Sequence, residues 1–515
     1  MSKWQGYLDT LSSVIKVIFF MSVMVVIGQI ICNDAFRSLY VISDSTAIMV
    51  GESLLRIGQF LLWYSPLLFL MRLVVSKNRA YDNIMLAFIG YITFVVFSIY
   101  FGAGRMGLNA YRPILGITVS TSRLSLMANK VNEPIFTGII GAIATVFVVR
   151  FVSNRVKNMH TIGLLGNVDI EFRSYIYVIV LSILASLLVS LAWPWFFSVI
   201  MGILNFIRSD LNNPVNLYIY GMMDRIMNLL GLTATMRTPF WYDTMGGSIS
   251  TIAGQTVAGD VNMFAYSYAE NLTNAGVGRL ITPYYVFNIF VLPVTLIALY
   301  RVNSDILEKK RNRFMVFFMM LISIMGGGMF PFELFLLFLS PSLFIFHILS
   351  FGALFGILNS FHINLGFIAN NATITAIPGN ILEYITYLSN YRYRSACVGV
   401  AIVGIVVALI YYAVFTIYFK KLNVDSFGAN CKPVAKAIVK AFGGVGNLKY
   451  VNASLAHISV QVFDPNAIDL YQLKKVGATK VVEKRSGYTI FFGGKSFMIK
   501  RCIDAIINAS VRTVE

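Results

Sequence analysis

Long apolar runs separated by short polar and basic segments organise most of the chain. Runs lie near residues 13–32, 57–76, 83–102, 134–153, 174–206, 283–300, 314–326, 333–358 and 397–419. A helix needs about 20 apolar residues to cross a bilayer, so these runs predict membrane-spanning helices. Several are flanked by Tyr and Trp, as interfacial anchors are. The basic residues predict an orientation. Lys3 and Lys16 precede the first run, Arg72, Lys77 and Arg79 follow the second, and Arg150, Arg155 and Lys157 follow the fourth. The cluster Lys309, Lys310, Arg311 and Arg313 marks another loop of the same kind, and Lys420 and Lys421 close the last run. The loop after the first run instead holds Asp34, Asp44 and Glu52 with Arg37. Basic loops stay on the cytoplasmic side, so both termini are expected in the cytoplasm.

Between about 207 and 282 the pattern changes. Apolar stretches shorten and are interrupted by Gly246, Gly247, Gly254 and Gly259. Irregular backbone at membrane depth is tolerated where it is buried in protein or lines a cavity, so this region points to a solute-sized cavity. An extracytoplasmic loop or ligand-free re-entrant segments fit equally well. After Lys421 the text becomes that of a small soluble module. Pro433 to Phe442 has helical spacing and stops at Gly443 and Gly444. His457 to Phe463 alternates as a strand does, and Lys480 to Phe492 reads as two strands about a turn at Ser486 and Gly487. Ser496 to Ser510 closes the module as an amphipathic helix. The expected architecture is an α-helical polytopic membrane protein with about ten transmembrane helices plus re-entrant segments, followed by a C-terminal α+β domain. Its parts are a membrane domain over 1–421, a linker over 422–432 and a cytoplasmic domain over 433–515.

Composition agrees. The 515 residues are 57% hydrophobic and 12% charged, against about 25% charged in soluble proteins. The net charge of +18 would suggest nucleic acid, but its Lys and Arg sit in short loops and in the tail; no nucleic-acid partner is expected, and membrane lipid is. Cys32, Cys397, Cys431 and Cys502 show no metal-ligand spacing, so neither a disulfide framework nor a metal site nor a cofactor is expected. No small-residue cleavage site follows the first run, which is read as retained.

Several segments, in order, resemble the glucose-type permeases of the bacterial phosphotransferase system (PTS), in which a membrane IIC domain is fused to a cytoplasmic IIB domain. LYIYGMMDRIMNLLGL at 217–232 with PFW at 239–241, VFNIFVLPVTLIALYR at 286–301, GGMFPFELFLLFLSPSLFIFH at 327–347 and IYYAVFTIYFKKLNVDSFG at 410–428 resemble IIC. KAFGGVGN at 440–447, LKKVGATKVV at 473–482 and FFGGKS at 491–496 resemble IIB. The resemblance implies a glucose-superfamily IIC-like membrane fold and a bacterial inner-membrane location. It also implies a hexose or altered substrate, a soluble PTS or regulatory protein docking on the tail, and a homodimer. In that family a IIB cysteine takes a phosphoryl group from a soluble protein and passes it to the sugar.

The positions that match this chemistry are those where the chain departs. The family's cysteine is Ser454, and the Thr and two Arg that follow it are replaced by Ala456, His457 and Ser459. A thiol ionises near pH 8.5, whereas a serine hydroxyl needs an adjacent base. His457 is the one base nearby, and on a continuous extended strand it would face away from Ser454. Cys431 precedes the first helix of the module and Cys502 lies in the last, so neither can substitute by position. In the membrane half the sugar-binding Glu is replaced by Phe330, in Met329, Phe330 and Pro331, and a histidine pair by Thr233 and Ala234. An Asp expected near Phe361 to Phe367 is missing.

Glu333, Phe330, Thr233, His362, Asp224 and Arg225 remain as candidate substrate-binding residues, and no catalytic residue is assigned. Glu333 opens an apolar run, where a carboxylate is either functional or simply favoured by a helix N-terminus. Asp224 and Arg225 match an acidic residue and Arg of the family and either line the cavity or hold it together. His347 reads as a helix contact, His362 beside Asn359, Ser360 and Asn364 as a cavity-lining candidate or a bland surface residue, and Ala369 to Thr373 as polar lining or solvated loop. Two functions follow. One is a PTS-derived sensor, regulator or receptor without phosphoryl transfer, hence not a working enzyme; the other is a transporter of a sugar or other solute without phosphorylation. An active IICB sugar phosphotransferase is a third.

Overall fold

A computed structural model describes residues 2–32, 45–74, 80–102, 137–155, 170–252, 254–272, 276–302, 306–368, 378–420, 431–453, 457–476, 478, 480–484, 487–492 and 496–512. They group into two compact units. One is Arg56–Pro283 with Ile348–Ala376, and the other Met1–Leu55, Tyr284–His347 and Ile377–Glu515.

In the first unit, helices Ser65–Val74, Ala80–Gly102, Gly138–Arg155 and Ile170–Ser209 enclose Leu70, Ala87, Tyr91, Val146, Val149 and Val178. The longest has two faces set by its i, i+4 spacing. Ser182, Ser186 and Ser190 are buried, while Leu184, Leu188, Leu191 and Val199 are exposed together with Trp195 at 82%. Small side chains allow close approach: a Cβ placed on Gly90 would lie 3.2 Å from Ser182 Oγ. The apolar face would be a liability in water and is at home in lipid.

The interrupted region is built from short pieces. Helices Pro214–Leu230, Thr233–Trp241 and Asp260–Ala269 surround an antiparallel hairpin of Ser248–Ser250 and Thr256–Ala258. Asn213 caps the first by accepting the Val215 N–H, and Gly231 ends it with φ of 72°.

In the second unit, Ser2–Cys32 packs on Ile306–Gly326. The stretch Thr282–Val302 is π-helical over Val286–Val291, just before Pro293, which has no N–H for the helical ladder. The apolar run at 333–358 is not one span: helix Phe330–Leu339 ends at Ser340, and Pro341–Ser360 starts anew. Pro341 forces the preceding residue out of the helical region, and Ser340 is extended at φ −159°, ψ 108°. The run at 57–76 likewise divides into Ser45–Trp63 and Ser65–Val74, with Pro66 at the restart. Among the described residues six stretches are long and apolar enough to cross a membrane: Val14–Cys32, Gly138–Arg155, Phe172–Ser209, Thr282–Val302, Pro341–Ser360 and Arg394–Phe419. Ser65–Val74, Asn83–Ser98 and Arg313–Gly326 are shorter apolar helices.

The tail forms helix Cys431–Ala441, a four-stranded antiparallel sheet and helix Ser496–Arg512. The sheet order is Leu448–Ala453, His457–Val462, Gly487–Phe491, Lys480–Lys484. Ala435, Ile438, Phe442, Ile458, Ile490 and Ile503 meet in its core. Burial and the nearby Glu483 carboxylate push the Tyr488 phenol upward. The expected helices and three strands are present, and Leu448–Ala453 is an addition. Its Lys449, Tyr450 and Asn452 hide the alternation, because only its last two residues are buried. Among the described residues Leu448–Ala453 pairs antiparallel with His457–Val462, with Ala453 opposite Ile458. Ser454 and Ala456 lie outside the described residues. His457 is buried, with its ring 4.9 Å from that of Phe491.

Candidate functional site

The first unit gathers two arginines around one carboxylate. Asp224 and Arg225, on Pro214–Leu230, are 0% and 1% exposed. Arg225 donates to Asp224 through Nε at 3.1 Å and also through Nη2. Arg237, on Thr233–Trp241, adds a two-pronged bond, Nε to Oδ1 at 2.7 Å and Nη2 to Oδ2 at 3.1 Å. Aromatic faces complete the cage: Arg225 Cζ lies 4.3 Å from the Phe351 ring centre and Arg237 Cζ 4.8 Å from that of Trp241. Trp241 Nε1 donates to the Tyr220 hydroxyl at 2.8 Å. Arg237 carries no helical-face signature in the sequence, so its role emerges only when the turn at Gly231 brings the two helices together. Thr233, half-buried, donates to Asn228 Oδ1 at 3.3 Å. His362 is exposed, in a turn with φ of 54°, and its N–H donates to the Asn359 carbonyl at 2.9 Å. Asp260 is a further buried carboxylate that reading the sequence missed. It accepts the N–H groups of Gly278 at 2.8 Å and Leu280 at 3.0 Å and so fixes that loop to the start of its helix.

The second unit holds Phe330 and Glu333. Phe330 is half-buried at the first position of its helix, and Glu333 is buried one turn on. His347 reaches back to Glu333, Nε2 to Oε1 at 3.4 Å, while its Nδ1 lies 3.3 Å from the Tyr411 hydroxyl. With hydrogen on Nε2, Tyr411 donates to the imidazole and the imidazole donates to the carboxylate. Phe287 and Phe332 set their edges on the imidazole at 5.1 and 6.0 Å. Glu333 is therefore turned into the protein by a histidine that sequence spacing had marked as a simple helix contact.

Glu383, on helix Ile381–Ser389, is a further carboxylate of this unit, which sequence reading passed over. It accepts the Tyr285 hydroxyl at 2.8 Å, and its N–H is capped by Asn380 Oδ1 at 2.9 Å. Asn288, on the π-helical segment, donates through Nδ2 to the carbonyls of Gly327 at 3.0 Å and Pro378 at 3.3 Å. It thus ties together the two breaks that precede helices Phe330–Leu339 and Ile381–Ser389. Ala369 to Thr373 lie outside the described residues. Among the described residues no group of His, Cys, Asp and Glu is arranged to hold a metal.

Apolar helices with lipid-type outer faces, buried ion pairs and a small tail with an antiparallel sheet define a multi-pass membrane protein. No protein-family model matches the chain. The glucoside-specific EIICBA component of the PTS from Staphylococcus carnosus (strain TM300) is 26% identical over 426 residues, covering 81% of this chain and 58% of that relative. The chain thus spans less than two thirds of the relative's length. It is a distant homologue of that protein.

Proposed function

We propose that the chain binds a small solute, a hexose, glucoside or altered relative, and acts as a membrane sensor or receptor without phosphoryl transfer. The observation that carries this reading is the head of helix Phe330–Leu339. Phe330 stands where the family resemblance places the sugar-binding carboxylate, and the nearest acid, Glu333, is committed to His347. A phenyl ring offers a sugar a stacking face and no acceptor, and each unpaired hydroxyl costs about 1–3 kcal/mol. The tail supports the same reading, since Ser454 lacks the acidity of a thiol. In this proposal the termini are cytoplasmic and the tail, over 433–515, docks a regulatory or soluble PTS protein.

Transport without phosphorylation is the second reading. It is favoured by the paired breaks at 326–328 and 378–380, since broken helices accompany alternating access in transporters. Uptake and sugar phosphate formation in vesicles, with and without the soluble phosphotransfer proteins, separate the possibilities. The sensor reading expects neither product. Accumulation of unmodified sugar would establish the transporter, and phosphotransfer-dependent sugar phosphate would overturn both.

A further inference from the structure

The first helix of the tail carries charge of one sign. Cys431–Ala441 contains Lys432, Lys436 and Lys440 and no Asp or Glu. Lysines recurring every fourth residue run as one row along a helix. Ala435, Ile438 and Val439 turn the other way, into the core of the tail. Among the described side chains of this helix the exposed ones are Pro433, Lys436 and Lys440, so its outer surface is basic with little apolar area. On the neighbouring helix Ser496–Arg512, by contrast, Lys500 is paired with Asp504 at 2.6 Å.

Two observations turn this row toward the membrane. Helix Ser496–Arg512 touches the last membrane helix, Arg394–Lys420, and helix Cys431–Ala441 packs on Ser496–Arg512. The helical side of the tail is therefore the side nearest the bilayer. Ten residues separate Lys420 from Cys431, and that much chain reaches at most about 40 Å. Over the whole stretch from 420 to 440 the charges are Lys420, Lys421, Lys432, Lys436 and Lys440 against Asp425. Lys480 and Lys484 differ in setting, since they flank Glu483 on the strand at the edge of the sheet.

We infer that Lys436 and Lys440 form an interaction surface for anionic phospholipid headgroups, which holds the helical side of the tail against the leaflet next to Lys420. Basic clusters just beyond a membrane helix are drawn to anionic headgroups. With no large apolar side chain to insert, the contact is electrostatic and gives way as salt shortens the screening length. The assignment rests on the reading that the tail is cytoplasmic, and it adds a membrane contact to a tail proposed so far only to dock a soluble protein.

The test is amine acylation of the full-length protein by a water-soluble succinimidyl ester, read lysine by lysine by peptide mass spectrometry. The protein is compared in nanodiscs of phosphatidylcholine alone and of phosphatidylcholine with phosphatidylglycerol. Lys436 and Lys440 should react at least about threefold more slowly in the anionic discs, with the difference lost in about 0.5 M NaCl and with Lys480 and Lys484 unchanged. Equal reaction of Lys436 and Lys440 in the two lipids, or equal slowing of Lys480 and Lys484, would overturn the assignment. Protection that appears only when soluble phosphotransfer proteins are added would also overturn it and make the row a protein-docking surface. Acylation of Lys484 from outside intact cells by a membrane-impermeant ester would remove the cytoplasmic reading, while the lipid dependence in nanodiscs is measured independently of side.

Discussion

Replacing Asp224 by Asn isolates the electrostatics of the buried cluster. The substitution keeps the shape of the side chain and removes one negative charge that receives four charge-assisted bonds, two from Arg225 and two from Arg237. The amide retains one acceptor oxygen and turns two N–H groups toward guanidinium donors. Withdrawing one partner from a buried ion pair costs about 3–5 kcal/mol, because the remaining charge stays desolvated. Asp224 and Arg225 are fully buried, so Asp224→Asn should fall in that range. Arg237 is 17% exposed on its side chain, and water screens part of its loss, so Arg237→Gln should cost only about 1–2 kcal/mol. Replacing the cluster by apolar residues, Asp224→Leu with Arg225→Met and Arg237→Leu, should recover to within about 2 kcal/mol of the wild type, since the desolvation penalty disappears with the charges. Equilibrium unfolding in mixed micelles, followed by circular dichroism, reads all three. The reasoning fails if Asp224→Asn is no more destabilising than Arg237→Gln, or if the apolar triple is the worst of the set.

Three further outcomes follow from named contacts. Ser454→Cys should not restore phosphoryl transfer from a phosphorylated soluble donor, because Ala456 and Ser459 supply no cation to steady a thiolate; labelled phosphate on the tail would contradict this. Gly379→Ala should destabilise by more than about 2 kcal/mol, since φ is +90° and the new Cβ would sit 2.7 Å from the Tyr284 carbonyl carbon. Gly254→Ala, at φ +76° with nothing within 4 Å, should cost only about 1 kcal/mol; equal losses at the two sites would show that backbone strain, not collision, decides both. Tyr411→Phe should lower stability by about 1 kcal/mol through its bond to His347, and an unchanged unfolding midpoint would remove that bond from the account.

Much of the fold was legible because its signals are local. Membrane helices announce themselves by twenty or so apolar residues, and the tail's helices and three strands by periodicity and by Gly443 and Gly444. The division at Ser340 was readable in principle from Pro341, but the apolar run continues across it and hydropathy alone does not register a backbone break. Strand Leu448–Ala453 escaped because an edge strand buried only at its last two residues needs little alternation. The site was less legible. Asp224 and Arg225 stood out as charges in an apolar segment, and Glu333 for the same reason. Arg237 lies 13 residues from Asp224, His347 14 from Glu333, and Tyr411 64 from His347.

The sequence by itself determined that this chain crosses a membrane many times and that it carries a small α+β tail. Those are properties of composition, period and residue type, which no partner can alter. Only the tertiary structure decided what each polar group faces. Glu333 is turned to His347, Glu383 to Tyr285, and Asp224 to two arginines. In a low-dielectric interior the worth of a carboxylate or an amide is set by the atom within about 3 Å of it, and that atom is brought there by chain distant in sequence.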